Sequence, residues 1–371
     1  MKAVAAFHAS REVRVVRHPE PRLSHPTSVL VTTLEVGVCG TDGELCAFHF
    51  GYAPAGEDYL ILGHEALGVV EAVGEGVQGL APGDLVIPSV RRPCPEARCP
   101  ACRSGAQDYC VTGRYTERGI FGAHGFLSER FAENERYLYR IPVELRASGV
   151  LVEPLTIAEK GLRQYVSIQR RLPWLRDADD REILHGRRAL VLGAGPVGLL
   201  AAMLLRLRQC EVTVYSREEE GSNRGALVRE IGATYISARD VPVDALAERI
   251  GGIELVYEAA GAPALTLAVV ERMGPNGVFI LTGATGGGGR LEVGADALLN
   301  RMVGGNLVLA GTVNASHDDF TAAVEDLAAF DAAWPQALRR MITGRYPMEA
   351  FAERALNRTG IKEIIDFAPV S

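Results

Sequence analysis

Hydrophobic and polar positions change texture along the chain. Up to about residue 155, apolar residues come in short runs such as Val29–Val31 and Ala66–Val70, broken by Gly and Pro. That pattern predicts a β-rich region with many turns. From about residue 186 to 312, apolar runs alternate with amphipathic stretches. Ala189–Leu192, Val212–Tyr215, Leu255–Tyr257, Val278–Leu281 and Leu307–Ala310 read as strands, and Val197–Arg208 and Asn223–Ile231 as helices between them. Such alternation predicts a parallel α/β sheet. In the tail, Phe320, Val324, Leu327 and Trp334 recur at helical spacing over Asp318–Ala333. The run Ile361–Phe367 predicts a strand returning to the first region. The charged stretch 174–186 is expected as a surface loop, and Gly286–Gly289 as a flexible one.

Composition narrows the classes. The 371 residues suit two or three domains. With 47% hydrophobic and 23% charged residues, the chain is neither disordered nor fibrous. Lys plus Arg is 39 and Asp plus Glu 46, a net charge of −7, so there is no overall attraction for nucleic acid or an anionic membrane. His8 and Arg11 interrupt the apolar start too early for a signal peptide. The uncharged run Ala189–Leu205 falls short of the ~20 residues a membrane helix needs. A cytoplasmic location is expected. Of the seven cysteines, four lie between positions 94 and 110. An odd count with such clustering suggests a metal site rather than disulfides.

Two kinds of motif carry chemistry. Gly193-Ala194-Gly195-Pro196-Val197-Gly198 follows a predicted strand and opens a predicted helix. Gly193 permits the tight turn, Gly195 lets the backbone approach a pyrophosphate, and Gly198 lets helix pack on strand. The free N–H groups at the helix start favour the phosphates. The next strand ends in Ser216-Arg217, a hydroxyl and a guanidinium that suit a 2′-phosphate, so NADP is preferred. Glu218-Glu219-Glu220 follow directly and leave NAD possible. The second kind is thiol-based. Cys94-x4-Cys99-x2-Cys102-x7-Cys110 can close a tetrahedron round Zn²⁺ and leave no open position, as a structural zinc requires. Cys39, His64, Glu65 and Glu153 offer the thiolate, imidazole and carboxylate groups that a catalytic zinc takes.

These features together resemble the zinc-dependent medium-chain dehydrogenase/reductase family. Gly63-His64-Glu65-x2-Gly68-x5-Gly74-x2-Val77 matches its zinc signature, alongside Cys39-Gly40-Thr41-Asp42, the four-cysteine loop and Gly360-Ile361-Lys362. The resemblance is greatest to the glucose (aldose) 1-dehydrogenase branch, through Arg91-Arg92-Pro93-Cys94, Thr116-Glu117-Arg118-Gly119-Ile120, His124-Gly125-Phe126 and Gly311-Thr312-Val313-Asn314. It implies a GroES-like β-barrel catalytic domain (1–160, completed by 306–371) and a Rossmann doubly wound parallel-sheet domain (161–305). It also implies oxidation of C1 of a cyclic aldose, D-glucose first, to the lactone, with hydride transfer to NADP.

Residue by residue, Cys39 and His64 match catalytic zinc ligands, and Glu65 and Glu153 match carboxylates that bind or back that zinc. Thr41 matches the hydroxyl that accepts the substrate proton. Glu117 and Asn314, with Thr41 and Glu153, match the substrate-holding groups. Ala260, Thr282–Ala284 (Gly283 among them) and Asn314 match the nicotinamide end. A homo-oligomer, dimer or tetramer, is implied as well. Three departures stand out: the first cysteine gap is four rather than the usual two, Glu44 lies where a relay histidine is common nearby, and Val90 replaces a polar residue of some glucose-reading members. The alternatives are a polyol or secondary-alcohol dehydrogenase of the same family, or a non-catalytic NADPH-binding protein.

Overall fold

The computed structural model describes residues 1–283 and 289–367. Ala284 and Gly286–Gly288, to which the sequence assigns a nicotinamide contact and a flexible loop, lie outside the described residues. The chain forms two compact units. One comprises Met1–Thr156, Asn314–Asp331 and the chain from Leu338 on; the other comprises Ile157–Val313 and Ala332–Ala337.

The first unit is built round a long strand, Ser28–Val38, that pairs with three others. Glu65–Val73, Arg130–Asn134 and Lys362–Asp366 all run antiparallel to it. Its alternating Val29, Val31 and Val36 are buried with Phe126, Phe131 and Ile365 in one apolar core. Burial of such side chains is worth about 1.5–3 kcal/mol each. Register here decides chemistry. Gly37 stands opposite Glu65, and Val38 opposite Glu363. Cys39 therefore leaves the end of one strand beside Glu65 on one neighbour and Lys362 on the other.

The second unit holds six parallel strands in the order Thr234–Ser237, Glu211–Ser216, Arg188–Leu192, Leu255–Glu258, Val278–Leu281 and Val308–Gly311. This is the doubly wound order that places a ligand where the strand sequence reverses. Five of these strands are legible as apolar runs. Thr234–Ser237 is not, because its four residues are half polar and follow a turn. The stretch 174–186 also departs from the expected loop: Asp180–Leu184 is helical, with Asp179 accepting from the Glu182 N–H at 2.8 Å and Ile183 and Leu184 buried. Capping overrides the charged composition there. Among the described residues, no helix is long and apolar enough to cross a membrane.

Candidate active site

The first site forms where strand ends meet a short helix, Gly40–Cys46. Ligand atoms of Cys39, His64 and Glu65 lie within 4.8 Å of one another. Asp42, fully buried, organises two of them. Its Oδ2 accepts from the Cys39 N–H at 2.8 Å, and its Oδ1 stands 3.5 Å from His64 Nδ1. The imidazole thus turns Nδ1 to the carboxylate and leaves Nε2 for a metal, as is common at zinc histidines. Gly37 makes room for Glu65: a Cβ there would run into the Glu65 carboxylate. On the other side, buried Lys362 donates to Glu65 Oε2 and to the Val38 carbonyl.

The electrostatics suit a cation. Burial works to lower the pKa of His64, but Asp42 and then Cys39 raise it well above its ordinary value. Burial, reinforced by the charge of Glu65, pushes Glu153 up to about 8. Lys362 is held above its usual range by Glu65 and Cys39, against burial. A thiol, an imidazole and carboxyl groups thus crowd one place beside a single ammonium, a donor set that suits a bound divalent ion. Glu153 stands outside the three groups within 4.8 Å. The Thr41 hydroxyl, half-buried, has no protein partner among the described residues. Glu44 bonds His49 Nδ1 at 2.7 Å, and both side chains are exposed.

The four-cysteine loop closes. Ligand atoms of Cys94, Cys99, Cys102 and Cys110 all lie within 4.8 Å, so the longer first gap does not keep Cys94 away. The Cys94 N–H donates to Cys102 Sγ at 3.3 Å. Four sulfurs with no further ligand suit a structural zinc.

Near the first site, the strand Arg91–Arg92 pairs antiparallel with Thr116–Arg118, and Arg91 faces Glu117 across the pair. Glu117 Oε1 accepts from Arg91 Nε at 2.9 Å, Arg91 Nη2 at 2.8 Å and Asn314 Nδ2 at 2.8 Å. Asn314 adopts a left-handed φ of 59° and turns Oδ1 to the Ala315 N–H. The turn after Glu117 packs Gly119 against the backbone of Gly63, next to His64. Val90 is 1% exposed and sits in the apolar core.

The glycine loop belongs to the second unit. Gly193 has φ +95°, and nothing stands within 4 Å of a Cβ built on Gly195. Gly198 lies against the Gly193 carbonyl, where a Cβ would clash. Pro196 and Val197 open the twelve-residue helix Pro196–Leu207, whose N-terminus faces that open space. Ser216 Oγ accepts from the Ala194 N–H at 3.3 Å and donates to Glu218. Ser216 and then the charge of Arg224 keep Glu218 below its usual range, against burial. Arg217 is exposed and forms no ion pair among the described residues. Arg224, which no motif announces, donates to the Ala194 carbonyl at 2.7 Å. Glu258 accepts from the Ala260, Gly261 and Gly283 N–H groups, and Thr282 Oγ1 donates to the Glu258 carbonyl at 2.7 Å. Asp42, Arg91 and Lys362 stand in the motifs that carry the resemblance but receive no role from the sequence, and Glu258 stands in none, because their supporting contacts are set by the fold and not by ligand-type spacing.

Comparison with known proteins agrees with this arrangement. The family model described as Alcohol dehydrogenase GroES-like domain matches residues 25–143, and that described as Glucose dehydrogenase C-terminus matches residues 146–367. A glucose 1-dehydrogenase of Thermoproteus tenax is 41% identical over 356 residues, 95% of both chains. One of Methanocella arvoryzae is 38% identical over 354 residues, again 95% of both. The solved glucose dehydrogenase of Haloferax mediterranei in complex with NADP, Zn and gluconolactone superimposes with a TM-score of 0.87 at 33% identity, covering 100% of each chain. The chain therefore belongs to the glucose dehydrogenase branch of the zinc-dependent medium-chain dehydrogenase/reductase family.

Proposed function

We propose that this protein is a zinc-dependent glucose (aldose) 1-dehydrogenase that oxidises C1 of a cyclic aldose to the lactone and passes the hydride to NADP. The observation that carries this reading is the convergence of the ligand atoms of Cys39, His64 and Glu65 within 4.8 Å of one another, with Asp42 behind them. A zinc bound there supplies Lewis-acid polarisation of the C1 hydroxyl. NADP supplies the hydride acceptor. The chain's own groups do the rest. Cys39 and His64 hold the ion, steered by Asp42, while Glu65 and Glu153 bind or back it. Thr41 Oγ1 accepts the C1 hydroxyl proton as its own hydroxyl proton passes on to water, and Glu117 and Asn314 hold the sugar through its other hydroxyls. A site built for those hydroxyls rejects analogues that lack them.

On the cofactor side, Gly193, Gly195, Pro196, Val197 and Gly198 receive the pyrophosphate, and Ser216 and Arg217 the 2′-phosphate. Ala260, Thr282, Gly283 and Asn314 lie at the nicotinamide end. Arg217 is exposed and forms no ion pair among the described residues, which supports NADP, while Glu218, bonded to Ser216 Oγ, keeps NAD possible. The four cysteines hold the structural zinc. A homo-oligomer would use the edge strand Val308–Gly311, whose outer side is unpaired among the described residues, together with exposed Leu299 and Val303. Four cysteines clustered as a metal site suit a reducing, cytoplasmic setting.

The test is a rate panel with zinc-loaded protein, NADP and NAD, against glucose, galactose, xylose, sorbitol, threonine and 2-butanol. Turnover on aldoses with NADP preferred is expected. Turnover on open-chain alcohols alone would overturn the sugar assignment.

A further inference from the structure

We infer that Arg91 is a positioning residue for sugar recognition: it locks one oxygen of Glu117, leaves the other for a substrate hydroxyl, and anchors that carboxylate to the four-cysteine loop. The inference rests on the aldose reading above and adds to it a residue that makes no contact with substrate.

The geometry starts from register. Arg91 and Glu117 are directly opposed on adjacent antiparallel strands, a placement in which side chains of opposite charge meet. Both are buried, at 3% and 5% exposure. All three protein donors on Glu117 converge on Oε1: two from the guanidinium and one from Asn314. Oε2 has no protein partner among the described residues, and it is not among the buried side-chain atoms sealed from solvent without one. A carboxylate can accept at both oxygens. Here one is saturated and the other is open to solvent.

Arg91 is itself held from two sides. Its Nη1 donates to the Asp108 carbonyl at 3.0 Å, between Cys102 and Cys110, and its guanidinium lies 3.7 Å from the centre of the Tyr115 ring. The Gln107 amide reaches back to the Arg91 carbonyl at 3.5 Å. A guanidinium can serve the carboxylate and the loop at once because its donors form a rigid planar fork, which a lysine lacks. The four-cysteine loop therefore does more than fold itself: it fixes the direction from which Glu117 meets the sugar.

The test uses the full-length, zinc-loaded protein with NADP, comparing wild type, Arg91→Lys, Glu117→Gln and the double variant. Substrates are glucose, its 2-, 3-, 4- and 6-deoxy analogues, and an open-chain alcohol. In the wild type, one deoxy sugar loses most of its kcat/KM and so identifies the hydroxyl that Oε2 accepts. Arg91→Lys is expected to raise the glucose KM about tenfold or more with kcat changed less than about threefold, and to leave the NADP KM alone. It should also erase discrimination against that one deoxy sugar while the others keep theirs. Adding Glu117→Gln should then cost little further, because both changes remove the same contact.

An Arg91→Lys enzyme with unaltered glucose KM and deoxy-sugar selectivity overturns the inference. So does a fall in kcat shared by every substrate, the mark of a purely structural role. If Arg91→Lys does not fold, Tyr115→Leu, which frees the guanidinium from its ring, takes its place: the same rise in glucose KM supports the inference, and an unaltered KM and selectivity overturn it. A wild type silent on all aldoses would instead overturn the functional reading, and this inference with it.

Discussion

Asp42 shows how much a single carboxylate can set in this site. One oxygen fixes the backbone of Cys39 and the other faces the His64 ring. Asp42→Asn is expected to weaken zinc binding at the first site about 10–100-fold, read by chelator competition. An unchanged affinity would mean that the imidazole is oriented by packing alone. Lys362 is the other lever. Lys362→Met strands Glu65 in a buried pocket and should cost about 3–5 kcal/mol in metal-free urea unfolding. A histidine pair offers an independent pH test. The His18 and His124 rings lie 5.0 Å apart, beside Tyr59, Glu57 and Arg118. Burial lowers both pKa values, and for His124 the charge of His18 adds to it, against the pull of Glu57. The folded state thus favours neutral rings, while the unfolded rings titrate near 6.5. Their contribution is complete above that value and is lost as pH falls through the lowered folded values. The urea midpoint should drop between about pH 7 and about pH 5, and His124→Gln should flatten part of that slope.

At the scale of elements, the cofactor unit is the more legible half. Its strands are apolar runs because both faces of a parallel sheet are covered, and the glycine loop has a fixed place between strand and helix. Thr234–Ser237 escapes because a four-residue strand with three hydroxyl side chains carries no periodicity to read. The helix Asp180–Leu184 escapes for a different reason: its signal is the cap at Asp179, not its apolar content. Asp179→Ala should therefore cost about 1 kcal/mol in thermal or urea unfolding. No measurable loss would mean that packing of Ile183 and Leu184 suffices. The metal ligands are legible as residue types, but not their supports. Cys39, Glu65 and Lys362 meet through strand register over some 320 residues of chain, and single-sequence patterns do not report register.

For the whole molecule, the defining feature is that the first unit is discontinuous. It is interrupted by the second and completed by Lys362–Asp366, which pairs with Ser28–Val38. That order of connection has a consequence for synthesis. As the chain leaves the ribosome, nearly all of the cofactor unit emerges before the strand that finishes the first sheet. That strand, and with it the ammonium facing Glu65, follows the whole of the cofactor unit. Nascent chains arrested near residue 340 should already retain NADP on an affinity matrix, yet stay sensitive to protease before residue 156 until release. Protection of that region before Lys362 emerges would show that the open sheet is stable without its final strand. The support of Glu65 is thus expected to arrive only after the cofactor unit, and a chain arrested before Lys362 should bind nucleotide yet oxidise no sugar.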